Sequence, residues 1–115
     1  MGKVIHVDNS EFFRKLMKTF LSEMGFESES LERGEDVIKA INAGEASMVI
    51  TGLSLADMSG EELIKRIIAL PHPVQIITVT SNTEEAQARR LSALGVVANI
   101  LKSGDWKGDL RNILS

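Results

Sequence analysis

The sequence predicts an α/β fold, a (βα)5 sandwich built on a doubly wound parallel sheet of five strands. Short β-rich runs alternate with helix-period runs along the whole chain, the signature of a parallel α/β sheet. The first, third and fourth of the β-rich runs are almost continuously apolar, as strands covered on both faces are. Crossovers between parallel strands are right-handed, which puts helices on both faces of the sheet. No repeat, low-complexity tract or linker divides the 115 residues, so one domain spanning 1–115 is expected.

Taken in order, the first strand is expected over Lys3 to Val7. A helix follows, in which Phe12, Phe13, Leu16, Met17, Phe20, Leu21 and Met24 recur at helical spacing and Gly25 supplies the stop. Glu27 to Leu31 alternates charged and uncharged residues and reads as an edge strand. The second helix runs from about Glu35 to Ala43 and stops at Gly44. Met48 to Thr51 is the third strand, and Ser59-Gly60-Glu61-Glu62 is a capping-box pattern that opens a third helix ended by Pro71. Val74 to Val79 is the fourth strand. Asn82 to Glu85 opens the fourth helix in the same way, with Gly95 closing it. Val97 to Leu101, interrupted by Asn99, reads as the other edge strand, before a short helix with Trp106, Leu110, Ile113 and Leu114 on one face.

Composition narrows the function classes. A net charge of -3 and a pI near 5.4 give no basic footprint for direct nucleic-acid binding. The chain has no cysteine, which fits the cytoplasm and removes disulfide and thiol chemistry. No apolar run approaches the ~18 residues of a membrane span, and His6 and Asp8 interrupt the start too early for a secretory signal. No Walker A, dinucleotide or zinc-protease motif is present, nor a nucleophile triad, so a catalytic role is not expected. Thr80-Ser81-Asn82-Thr83-Glu84 follows the fourth strand, and with one Trp and no Tyr to sandwich a flavin it reads as a loop.

In open α/β sheets the functional crevice lies beyond the carboxyl ends of the strands. The residues at those ends are Asp8 and Asn9, Gly52, Thr80 and Lys102. The segment TGLSLADMSGEEL, with Leu55, Met58, Gly60, Glu62 and Leu63 in register, resembles the central segment of a response-regulator receiver domain. The resemblance covers essentially the full chain, from VDNS to ILKS. It implies flavodoxin-like strand order 2-1-3-4-5, a cytoplasmic two-component signalling role, and a site made of an acidic pair, a phospho-acceptor, a switch hydroxyl and a lysine.

Residue by residue, Asp8, Thr80 and Lys102 match that implied site. Asn9 stands for the second acid, Gly52 for the acceptor, Ala56 for a proline, and Ser103 for the proline after the lysine. Phosphoryl transfer to a carboxylate rests on positioning and charge stabilisation around a hard cation. Gly52 offers no oxygen to phosphorylate, and Asn9 offers only a neutral carbonyl oxygen. The expectation is therefore a degenerate receiver, with magnesium binding weak or absent and no other cofactor, acting as a phosphorylation-independent interaction module. Asp8 and Lys102 are expected to form an ion pair holding the first and fifth strands in register. Two alternatives stay open: phosphorelay through an unorthodox acceptor such as Asp57, and a small-molecule pocket at the vacated crevice. Asp57 competes for a plainer role at a helix N-terminus.

The expected partners are proteins (a kinase, a chemotaxis or an output component), with a homodimer as a further arrangement. The fourth helix, fifth strand and fifth helix are the face the family uses for partners, which singles out Asn99, Trp106, Arg89, Arg90 and Arg111. Asn99 stands where the family often has an aromatic switch residue. Trp106 is either an interface anchor or a cap on the core beside Leu110. The three arginines also read as solvated charge. His6 is expected to be packed within the first strand and His72 to lie in a loop.

Overall fold

In the computed structural model, which describes residues 2–115, strands β1 (Lys3–Val7), β2 (Ser28–Leu31), β3 (Ala46–Thr51), β4 (Gln75–Thr80) and β5 (Ala98–Leu101) form one parallel sheet. Their order is β2-β1-β3-β4-β5. The helices are α1 (Glu11–Glu23), α2 (Gly34–Asn42), α3 (Gly60–Ile68), α4 (Glu85–Ala93) and α5 (Trp106–Leu114). Strand order reverses between β1 and β3, and the expected topology is found, with β2 and β5 as edges. Boundaries differ from the sequence reading by one or two residues: β3 starts at Ala46 and β4 runs through Thr80.

Side chains alternate across each strand, so adjacent residues feed opposite cores. Val4, Ile50, Ile77, Val79 and Ile100 meet Phe13, Met17, Phe20 and Leu21 of α1 and Leu110 of α5. On the other face Ile5, Val7, Val49 and Ile76 pack with buried residues of α2, α3 and α4. A fully buried aliphatic side chain contributes about 1.5–3 kcal/mol. With one buried residue each, Leu91 in α4 and Leu110 in α5, these two helices are the most thinly anchored, whereas α3 buries Leu63, Ile64 and Ile67.

Gly25, Gly44 and Gly95 end α1, α2 and α4 with φ of 86°, 76° and 96°, a region closed to most other residues. Ser59 Oγ accepts from Glu62 N at 3.1 Å and caps α3 as its sequence pattern predicts. The parallel reading for α4 is corrected. Asn82 Oδ1 accepts from Glu84 N at 2.7 Å, closing a turn before the helix, and the N-cap Glu84 makes no side-chain cap. Phe12 also departs from expectation: it is 74% exposed while Phe13 is buried. Neighbouring helical positions point about 100° apart, and Phe13 holds the sheet-facing position.

The open edge of β2 is short and blocked near both ends. Lys18 Nζ donates to Ser28 O at 2.6 Å, and Ala56 N donates to Glu32 O at 2.9 Å. Such contacts blunt an edge strand against pairing with another chain.

Candidate functional site

Four strand ends bring Asp8, Gly52, Thr80 and Lys102 to one crevice at the carboxyl edge of the sheet. A cavity of about 340 Å³ opens there, lined by Asp8, Asn9, Ser54, Thr80, Gln87 and Lys102 among others. Sequence reasoning missed Gln87, which reaches the site from α4. It also passed over Ser81, although that residue directly follows a strand end.

Asp8 is only 2% exposed. Its Oδ1 accepts from Ser10 N at 2.9 Å, and its Oδ2 lies 2.8 Å from Lys102 Nζ. The charge contact with Lys102 is the sole partner of Oδ2 among the described residues. The ammonium also sits 4.3 Å above the Phe13 ring, a cation–π contact. Arg14 Nη1 donates to the Asp8 carbonyl at 2.8 Å. The predicted ion pair therefore forms, but it does not set the register of two neighbouring strands. β3 and β4 lie between β1 and β5, so the pair bridges the end of the sheet from above.

Gly52 is buried, and its N–H donates to Val7 O at 2.9 Å. A Cβ placed on Gly52 would stand 2.6 Å from Asp8 Oδ2 and 3.1 Å from Asp8 Cγ. The Asp8 carboxylate thus occupies the space that a side chain at position 52 would need. Thr80 Oγ1 accepts from Asn82 N at 3.0 Å, leaving its own O–H free to donate into the crevice. Asn9 is exposed at the rim.

Asp57 is held away from this arrangement. Its Oδ1 accepts from Gly34 N at 2.7 Å and its Oδ2 from Glu35 N at 3.1 Å. It caps α2 across a loop, where Arg33, the N-cap by position, supplies no side-chain bond. Burial works against its charge, but the backbone N–H donors of Gly34 and Glu35 and the nearby Arg33 hold its carboxyl below the usual carboxylate range.

The residues singled out for partners separate into two faces. Trp106 turns toward α1, with its ring centroid 5.0 Å from Phe13 and 5.6 Å from Phe20. Arg111 lies 5.5 Å over the Phe20 ring on the same side. Asn99 faces the α4 side, where its Oδ1 accepts from Thr78 Oγ1 at 2.6 Å. Exposed Val97, just before β5, and Leu101 at its end flank it. Arg90 is tied to Glu61 of α3 at 2.9 Å, and Arg89 pairs along its own helix with Glu85 at 3.3 Å. Arg90 and then Gln87 lower the Glu61 carboxyl below its ordinary pKa.

His6 is packed in β1, as expected, with its ring centroid 5.8 Å from that of Phe13. Burial pushes its pKa down to about 4, with Lys102 and Arg14 adding to the fall and Asp8 opposing it. His72 lies exposed in the loop before β4.

With this geometry in view, three kinds of comparison agree. The sequence model of the response regulator receiver domain matches residues 4–114. The chain is 33% identical over 89 residues to the transcriptional regulatory protein GltR of Pseudomonas aeruginosa, covering 72% of this chain and 35% of that protein. It is 33% identical over 120 residues to a protein-glutamate methylesterase/protein-glutamine glutaminase of Geobacillus kaustophilus, covering 96% of this chain and 33% of that protein. The chain thus spans about a third of the length of these relatives. Among solved structures it resembles a CheY-like response regulator receiver domain protein from Methanospirillum hungatei, with a TM-score of 0.87 and 21% identity over 99% of this chain and 91% of that one. It also resembles the BeF3-activated N-terminal receiver domain of Klebsiella pneumoniae RstA, with a TM-score of 0.88 and 17% identity over 98% and 96%.

Proposed function

Since the chain belongs to the response regulator receiver domain family of two-component signalling, we propose that it is a degenerate receiver that acts as a phosphorylation-independent protein-interaction module. One observation carries this reading. The space of a side chain at position 52 is filled by the Asp8 carboxylate, which Lys102 neutralises at 2.8 Å. The acceptor position offers no oxygen, and the lysine that would meet a phosphoryl group already has a carboxylate partner.

The donor set does not fit a magnesium ion. Asp8 is the single carboxylate in the crevice lining, and both of its oxygens are engaged. Gly52 contributes no side chain, and no cluster of three metal-ligating side chains exists among the described residues. A hard cation favours several oxygen ligands. An acceptor role for Asp57 is disfavoured by the same kind of count, since both its oxygens cap α2.

The partner in this proposal is a protein, a kinase or an output component, met by a surface whose shape does not depend on a phosphoryl group. The Asp8–Lys102 pair substitutes for that group by holding the ends of β1 and β5 in one arrangement. The test is exposure to acetyl phosphate and magnesium followed by intact-mass measurement. The expected result is an unchanged mass; gain of one phosphoryl group per chain would overturn the proposal.

A further inference from the structure

We propose that Met58 is a peroxide-sensitive latch that ties the loop between β3 and α3 to the start of α2, and that its oxidation gives this receiver an input that needs no phosphoryl group. Gly34 opens α2, is buried and carries no side chain. The Met58 thioether fills the place that a side chain there would take. A Cβ on Gly34 would stand 2.6 Å from Met58 Sδ, 2.9 Å from its Cε and 3.0 Å from its Cγ. The same side chain packs against the core beneath α2 and α3, yet Met58 is only part-buried. A flexible thioether suits such an irregular gap.

The residues beside Met58 complete a clasp. Ala56 N donates to Glu32 O at 2.9 Å, and Leu55 N donates to the Met58 carbonyl at 3.0 Å. Asp57 Oδ1 and Oδ2 accept from Gly34 N and Glu35 N, the contacts that cap α2. Backbone, carboxylate and sulfur of one short loop therefore meet the same helix start. The loop also reaches the crevice, where Leu53 and Ser54 are part of the lining.

The step is a two-electron oxygen transfer from a peroxide. The sulfur lone pair attacks one peroxide oxygen and the O–O bond breaks. With hydrogen peroxide, the departing hydroxide takes the proton of the transferred oxygen and leaves as water. Sulfur is oxidised by two electrons and the peroxide reduced by two. The sulfoxide is polar, and methionine sulfoxide reductase restores the thioether. The N–H groups of Gly34 and Glu35 are already taken by Asp57, so the new oxygen is solvated only when the side chain swings out to water. Asp57 adjoins Met58, and its cap loosens with that movement. The role as an input rests on the phosphorylation-independent reading; the latch itself does not.

The test is graded treatment of the full chain with hydrogen peroxide, followed by peptide mass mapping and amide hydrogen exchange. Met58 is expected to gain one oxygen while fully buried Met17 gains none. The amides of Gly34 and Glu35 should then exchange about fivefold faster, as loss of a helix cap allows. Amide NMR shifts should appear at Leu53 and Ser54, with exchange in β1 and β3 unchanged. Methionine sulfoxide reductase should reverse the change. Met58→Leu nearly conserves volume, and should keep the native spectrum and lose the response. A double variant with Met24→Leu and Met48→Leu should retain the response. No oxygen on Met58, unchanged exchange at the start of α2, uniform acceleration across the sheet, or a response that survives Met58→Leu would overturn the latch. Phosphoryl gain from acetyl phosphate would instead remove the input role and leave the latch result intact.

Discussion

At position 52 the missing side chain shapes its surroundings, because Asp8 Oδ2 lies where a Cβ would intrude. Gly52→Ala should push Asp8 off Lys102 and lower stability by about 1–3 kcal/mol, the usual cost of overpacking a filled site. A urea titration reads this directly, and a stability equal to or above that of the parent chain would show that Asp8 moves freely. His6 makes a separate prediction. Its folded pKa of about 4 lies below the ordinary histidine value of 6.5, so the unfolded chain binds more protons between those values. The stability tied to neutral His6 is fully present above about pH 6.5 and is lost as pH falls toward 4, by about 2 kcal/mol at pH 5. Urea midpoints should fall accordingly, and His6→Leu should flatten that part of the profile. An unchanged slope in the variant would assign the acid sensitivity elsewhere.

Between elements, side chains distant in sequence decide how firmly each helix is held. Asp57, reaching from the loop after β3, closes the N-terminus of α2. Asp57→Ala should cost about 1 kcal/mol, as loss of a helix cap does, with hydrogen exchange accelerating first in the opening turn of α2. The α4 helix is held differently, by Leu91 and by Glu61 gripping Arg90 and Gln87. Glu61→Ala should change global stability by less than about 1 kcal/mol, because the Arg90 side is largely exposed. Exchange at the amides of α4 should nonetheless rise. Uniform acceleration across the sheet would mean that α4 is not the separately loosened element its thin anchoring implies.

For the molecule as a whole, periodicity made the fold legible. Continuous apolar runs mark β1, β3 and β4, and the glycines after α1, α2 and α4 mark where those helices end. The strand-end residues were legible too, because an open sheet delivers its functional side chains at the carboxyl edge. What stayed hidden was non-local. No sequence pattern shows that Asp8 would lean into the space beside Gly52, that Asp57 would cap a helix before it in the chain, or that Trp106 would turn onto α1. Asn82 misled because one Asx residue serves a turn as well as a helix cap. Asp8 and Lys102 were foreseen as a pair, but the expected strand order already sets two strands between them, so the pair bridges the sheet end rather than aligning neighbours.

If the Asp8–Lys102 pair beside Gly52 closes the crevice to phosphoryl chemistry, as proposed, a phosphate mimic finds no site there. The most direct measurement is a backbone amide NMR titration with magnesium and then beryllofluoride, a mimic of an aspartyl phosphate. The predicted result is no saturable shift around Asp8, Gly52, Thr80 and Lys102. Saturable, magnesium-dependent shifts at those amides would contradict the account and show that a phosphate-like group still finds a place at the end of this sheet.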